Sequence, residues 1–209
     1  MGRFFSRPRA YWSTRPGDRV ETVRHSAAYA PLAGIRMAFF SDIHANRRFS
    51  DEALRAFFAR VSALWPDIVL IGGDLAEDYE SLRRLLRAMR VLEPHLGIYA
   101  CLGNNDSEIA DFAEDVSRHM RLLVNEAALV EFGAGALAIG GVDDWKHGNP
   151  SARGLFSARE PAFRVLLSHY PVAQDYGGTP KADLQLSGHT HGGQFNVLGV
   201  TPFSALFEC

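Results

Sequence analysis

The chain has 209 residues, 47% of them hydrophobic and 22% charged, a globular balance that excludes disorder, collagen-like repeats or a coiled-coil rod as its main architecture. Lys plus Arg at 22 against Asp plus Glu at 24 leaves a formal charge of -2, which gives no support to the basic face of a nucleic-acid-binding protein. The two cysteines, Cys101 and Cys209, can organise neither a disulfide framework nor a cysteine-rich zinc site, so any metal falls to histidine, carboxylate and amide groups.

The length suits one domain plus a tail, divided as a basic tail at 1–20 and a domain at 21–209. The first nineteen residues carry five arginines (Arg3, Arg7, Arg9, Arg15, Arg19) with Phe4, Phe5, Tyr11 and Trp12 among them. They hold no apolar core of a signal peptide, and no run of 18 apolar residues occurs anywhere, so the expected location is cytoplasmic. The tail either packs on the domain, the simpler reading, or makes a peripheral contact with an anionic membrane.

From residue 35 onward short apolar runs alternate with helical patterns. Residues 35–41 read as a buried strand, and 51–64 as a helix with Leu54, Phe57, Phe58, Val61 and Leu64 at spacings of three and four behind the N-cap Ser50. Residues 68–71 form a second strand, 79–92 a second helix with Leu82, Leu85, Leu86 and Met89 on one face, and 97–102 a third strand. This order implies parallel strands joined by right-handed crossovers. A short helix follows at 111–118. Strands at 128–132 and 136–140 then flank Gly133-Ala134-Gly135 as a hairpin, with further strands at 163–168 and 183–187. A crossover half followed by a strand-rich half suggests an α/β fold: two sheets facing each other with helices outside.

Each strand ends in polar residues that its packing does not need: Ser41-Asp42-Ile43-His44, Gly72-Gly73-Asp74, Gly103-Asn104-Asn105-Asp106, Ser168-His169, and Gly188-His189-Thr190-His191-Gly192-Gly193. Carboxyl ends of strands are where α/β sheets bind ligands, so these five endings can converge on one site. In extended chain, residues i and i+2 point to one side, so Asp42 with His44, and His189 with His191, can each offer two ligands. Nitrogen and oxygen donors without sulfur suit Zn, Mn, Fe or Ni. Seven donors exceed the needs of one tetrahedral ion and suit a pair sharing a carboxylate, a recurring device for phosphate-ester hydrolysis.

The ordered set Asp42-x-His44, Gly73-Asp74, Gly103-Asn104-x-Asp106, His169 and Gly188-His189-x-His191 resembles the calcineurin-like metallophosphoesterase superfamily across residues 22–195. Gly141-Val142-Asp143-Asp144 and Gly188-His189-Thr190-His191-Gly192-Gly193-Gln194 are similar to its bacterial YkuE-type branch. The resemblance implies a four-layer αββα sandwich of two mixed sheets with the metal site at the strand ends, and two divalent or trivalent transition-metal ions (Mn, Fe or Zn). It implies that Asp42, His44, Asp74 and His191 surround one ion and Asp74, Asn104, His169 and His189 the other, with Asp74 bridging. A hydroxide between the ions would attack phosphorus in line with the leaving oxygen.

One position departs from the family. Most members have histidine where this chain has Asn105, and an amide donates a hydrogen bond but delivers no proton. With Asn105 and Asp106 as the catalytic pair, leaving groups that need little protonation are favoured, as in a phosphodiester or a pyrophosphate-linked substrate, small or lipid-linked. Arg47 and His147 are the candidate substrate contacts, against bland readings as solvated loop residues. The other readings are a non-catalytic scaffold of the same fold, which intact ligand positions disfavour, and a nuclease, which the neutral charge disfavours. Cys101 reads as a small buried apolar residue.

Overall fold

All four residues of the strand Ile68–Ile71 (β2) are buried, and their alternating side chains feed two different cores. Ile68 and Leu70 face inward between the sheets, while Val69 and Ile71 face the helices. Such two-sided burial explains why the segment is a continuous apolar run. In this computed structural model, which describes residues 29–156, 162–171 and 182–190, β2 pairs in parallel with Met37–Phe40 (β1) on one side and Ile98–Ala100 (β3) on the other. Arg121–Leu122 (β4) extends the sheet beyond β3, again in parallel.

The second sheet runs in the order Glu126–Phe132 (β5), Gly135–Gly141 (β6), Phe163–Ser168 (β7) and Leu184–Ser187 (β8). Its first pair is the expected antiparallel hairpin, and the other pairs are parallel. Mixing, expected of both sheets, is confined to the second among the described strands.

Helix α1 (Asp51–Ser62) begins where Ser50 accepts a hydrogen bond from the Ala53 amide at 3.1 Å. Helix α2 (Tyr79–Met89) begins at Asp78, which accepts from the Ser81 amide at 2.9 Å. Each cap satisfies an amide that the first turn leaves unpaired. The helices bury Leu54, Phe58 and Val61, and Leu82, Leu85, Leu86 and Met89, against β1–β3; each fully buried large side chain contributes about 1.5–3 kcal/mol. The short α3 (Phe112–Ser117) adds Phe112 and Val116 to this layer. Between the sheets, Leu70 and Cys101 meet Leu137, Ile139, Val165 and Leu167. The outer face of the second sheet is covered, among the described residues, by Ala152, Leu155 and Phe156. None of the described helices is long and apolar enough to cross a membrane.

Candidate metal centre

The two sheets bring the ends of β1, β2, β3, β7 and β8 to one edge of the sandwich. The loops leaving β1 and β2 are pinned to each other: the amides of Asp42, His44 and Ala45 donate to the carbonyls of Gly73, Asp74 and Leu75, each at 3.0 Å. Within the second sheet, the Gly188 amide donates to the His169 carbonyl at 3.0 Å, and across the sheets the His189 amide reaches the Asp42 carboxylate at 3.0 and 3.1 Å.

The expected extended geometry is not what aims the ligands. Asp42, His44, Asp74 and His189 all have left-handed backbones, with φ of 55°, 47°, 55° and 65°. Each chain turns sharply on leaving its strand, a conformation costing about 1–3 kcal/mol per residue that the loop-to-loop bonds hold in place. Asp42 and His44 still converge, with His44 Nε2 4.0 Å from Asp42 Oδ1.

Asp74 lies at the middle of the cluster. Its Oδ2 is 3.5 Å from His44 Nε2 and 3.3 Å from His169 Nε2, and its Oδ1 accepts from the Asn105 amide at 2.9 Å. Burial pushes Asp74 up, yet the hydrogen bond and charge of His169, with the Asn105 amide and His44, hold it below the usual carboxylate range. Burial likewise pushes His169 down, and Asp74, the Gly72 carbonyl and Asp42 together leave it raised. The His169 side chain is 1% exposed, with Nε2 3.9 Å from Asp42 Oδ1. His189 Nδ1 stands 3.3 Å from the same Nε2.

Donor chemistry shows that these residues fit a cation. The Nδ1 of His169 lies 2.7 Å from the Gly72 carbonyl and must carry the proton, which leaves Nε2 a lone pair aimed at two carboxylates. A lone pair buried among acceptors needs a proton or a metal ion between them. Ligand atoms of Asp42, Asp74 and His169 all lie within 4.8 Å of one another.

Two more of the expected site residues make contacts of their own with the neighbouring loops. Asp106, expected to be catalytic, is fully buried and faces the backbone: its Oδ2 accepts from the amides of Asp74 (2.8 Å) and Gly103 (2.9 Å), and its Oδ1 from Leu75 (2.9 Å). With every acceptor turned to the loops, it ties the ends of β2 and β3 together. Burial pushes this carboxyl up to about 7 against the pull of those amides. Gly103 permits the close approach, since a Cβ there would collide with the Asp74 amide and carboxylate. His147 turns to Glu108 Oε1, at 3.2 Å, which Lys146 Nζ shares at 3.4 Å. That link ties the loop after β6 to the turn after Asn105-Asp106. Arg47 is exposed, and its charge bears on the helix cap Asp78.

Asn105 is at the site, its amide Nδ2 3.2 Å from Glu77 Oε1 and its Oδ1 2.7 Å from Asn104 Nδ2. His191 lies outside the described residues. Two site neighbours escaped the sequence reading. Tyr170 lies against the His189 ring at a centroid distance of 3.9 Å and donates to Asn104 Oδ1 at 3.4 Å. Glu77 Oε1 is 2.6 Å from His44 Nδ1. The available signal was adjacency, since Tyr170 follows His169 and Glu77 stands three residues after Asp74. Cys101 is buried, its thiol pushed up by burial, as suits an inert packing residue.

Nitrogen and oxygen donors gathered where two facing sheets end form a group that can hold a metal ion in an α/β sandwich. Residues 35–193 match the family model of the calcineurin-like phosphoesterases, and the chain belongs to that family. It is 32% identical over 190 residues to a zebrafish (Danio rerio) transmembrane protein with a metallophosphoesterase domain, covering 82% of this chain and 44% of that protein. The match to the Bacillus subtilis metallophosphoesterase YkuE is 26% over 198 residues, 85% of this chain and 67% of YkuE, in keeping with the YkuE-type motifs. Phosphodiesterase YaeI of Escherichia coli is 25% identical over 190 residues, 85% of this chain and 68% of YaeI. The chain spans about half the length of several curated relatives that it matches.

Proposed function

We propose that the protein is a metal-dependent phosphoester hydrolase acting on a phosphodiester or a pyrophosphate-linked substrate. The observation that carries this reading is the position of Asp74, whose one carboxylate oxygen faces both His44 Nε2 and His169 Nε2. In this reading Asp42, His44, Asp74 and His191 hold one ion, and Asp74, Asn104, His169 and His189 the other. When bound, two such ions (Mn, Fe or Zn) supply Lewis acidity for the phosphoryl oxygens and a nucleophile from water near neutral pH.

The chain's own residues do the rest. Gly72 holds the His169 proton at Nδ1 and keeps Nε2 free to ligate. Asp106 fixes the backbone of Asp74 and Gly103, and so the spacing between the two halves of the site. Asn105 offers an amide donor at the rim but no titratable proton for a departing alkoxide. That chemistry favours leaving groups stable as anions, such as a phosphate or an aryl oxide. Tyr170 steadies His189 by lying against its ring.

The test pairs metal analysis of the purified protein with hydrolysis of an aryl phosphodiester, an aryl phosphomonoester and a nucleotide-sugar pyrophosphate, each with added Mn²⁺ and with Asp74→Ala as control. Diester or pyrophosphate turnover well above that control is expected. Fewer than one bound metal per chain, with no activity above the control, would refute the hydrolase reading. An unchanged ratio of monoester to diester turnover in Asn105→His would refute the part assigned to Asn105.

A further inference from the structure

An imidazole can ligate a metal only through a nitrogen that carries no proton, so a ligand histidine needs something to keep its proton on the other nitrogen. For His169 that group is the Gly72 carbonyl. For His44 it is a side chain from a different loop. His44 Nε2 faces Asp74 Oδ2 and Asp42 Oδ1, at 3.5 and 4.0 Å, while Nδ1 lies 2.6 Å from Glu77 Oε1. An ionised carboxylate only accepts, so Nδ1 donates.

The same oxygen holds a second group. Asn105 Nδ2 is 3.2 Å from Glu77 Oε1 and 3.2 Å from His44 Nδ1. With the imidazole proton on Nδ1, the second approach sets donor beside donor, and the amide's acceptor is Glu77. The other end of that amide, Oδ1, accepts from Asn104 Nδ2 at 2.7 Å. Glu77 therefore settles which way the Asn105 amide points, and Asn105 settles which way the Asn104 amide points. Flipping either would set oxygen against oxygen or donor against donor. With its nitrogen spent on Asn105, Asn104 presents its oxygen, which accepts from the Tyr170 hydroxyl at 3.4 Å with one lone pair and keeps a second with which to ligate. The Glu77 amide donates to the Ala45 carbonyl at 2.9 Å, which anchors its backbone to the loop carrying His44.

We propose that Glu77 is a positioning residue that sets the ligating faces of His44 directly and of Asn104 through Asn105. This rests on the metal-centre reading above and deepens it. It also gives Asn105 a structural task, as the joint through which one carboxylate reaches two ligands. The Glu77 side chain is 43% exposed, so its removal perturbs the site without emptying a core.

The test uses the full chain. In metal-free protein, ¹⁵N-resolved histidine spectra report which His44 nitrogen carries the proton, and Mn²⁺ titration reports affinity. Wild-type His44 is expected as the Nδ1–H form. Glu77→Ala and Glu77→Met, the second retaining bulk without an acceptor, are expected to shift His44 toward Nε2–H and to weaken Mn²⁺ binding about 10–100-fold. Glu77→Gln keeps an acceptor oxygen and is expected to restore the Nδ1–H form and most of the affinity. Thermal melts should be alike in all four proteins. An unchanged His44 tautomer with Mn²⁺ affinity within about twofold of wild type in both Glu77→Ala and Glu77→Met would overturn the proposal, on the scale set by other groups that orient metal ligands. Failure of the wild type to bind Mn²⁺ would instead strike the metal-centre reading, and the tautomer would still report on Glu77.

Discussion

Replacing Asp106 tests whether one buried carboxylate holds the two halves of the site together. It is 0% exposed and accepts three backbone hydrogen bonds at 2.8–2.9 Å, from Asp74, Leu75 and Gly103. A hydrogen bond to a charged acceptor contributes about 1.5–3 kcal/mol net, and an orphaned buried donor costs about 1–3 kcal/mol. Water entering the vacated space recovers part of the loss, and the burial that raises this carboxyl to about 7 already offsets some of the gain. Asp106→Ala is therefore expected to lose about 3–5 kcal/mol at pH 8, where the wild-type carboxyl is ionised. Asp106→Asn can keep both bonds at the Oδ2 position while setting its NH₂ against the Leu75 amide, for a loss of about 1.5–3 kcal/mol. Urea unfolding followed by circular dichroism in the presence of a chelator measures both without a contribution from bound metal. Mn²⁺ affinity should fall in parallel, because the Asp74 backbone is held at φ 55° by the bond that is lost. A loss below about 1 kcal/mol in Asp106→Ala, with Mn²⁺ affinity unchanged, would refute the reasoning, since orphaning three buried amides cannot cost so little.

Three further outcomes follow from the geometry. His169 titrates above its ordinary value, so the stability its pairing with Asp74 gives the metal-free protein is complete below pH 6.5 and is lost as pH rises through the raised value. Asp74, held low, contributes above about pH 3.8 and loses that contribution as pH falls through its folded value. Metal needs the neutral His169 ring, so Mn²⁺ affinity should drop as pH falls through that same raised value; titrations from pH 8.5 to 5.5 with a flat affinity would contradict this. Gly188→Ala places a Cβ 2.6 Å from Asp42 Oδ2 and 2.7 Å from Ser41 Oγ, and chemical denaturation should show a loss of about 1–3 kcal/mol with weakened metal binding. Trp65 is 78% exposed at φ 50°, so Trp65→Gly should relieve left-handed strain and raise stability by about 0.5–1 kcal/mol in a urea titration; a clear loss would mean that the indole is held by contacts of its own.

Much of this site was legible because its residues are misfits where they stand. Asp42, Asp74, Asn104, His169 and His189 end strands whose packing is complete without them, and period-two and period-three-to-four patterns are enough to find those strands and helices. What the sequence does not display is backbone conformation and partnership at long range. Left-handed turns at Asp42, His44, Asp74 and His189 are held by bonds between loops; aspartate and histidine enter that region more readily than most residues, yet propensity does not pick out these four among the others. The two-residue β4 is too short to carry a period. Asp106 meets Asp74 across 32 positions and Glu77 meets His44 across 33, so neither role can be read from its neighbours in the chain.

Asn105 shows why this distinction matters for function. Read along the chain, it is a histidine lost, and the inference stops at the missing proton. Read in space, its amide nitrogen meets Glu77 and its oxygen meets Asn104, and no proton gained or lost by Asn105 itself can turn it. An imidazole in the same place would change its hydrogen-bonding pattern on protonation, and would carry that change to whatever it touched. The amide thus gives up acid catalysis and makes the orientation of its neighbours independent of its own protonation. That exchange suits the proposed preference for leaving groups that need no proton, and it joins that proposal and the Glu77 network in one side chain.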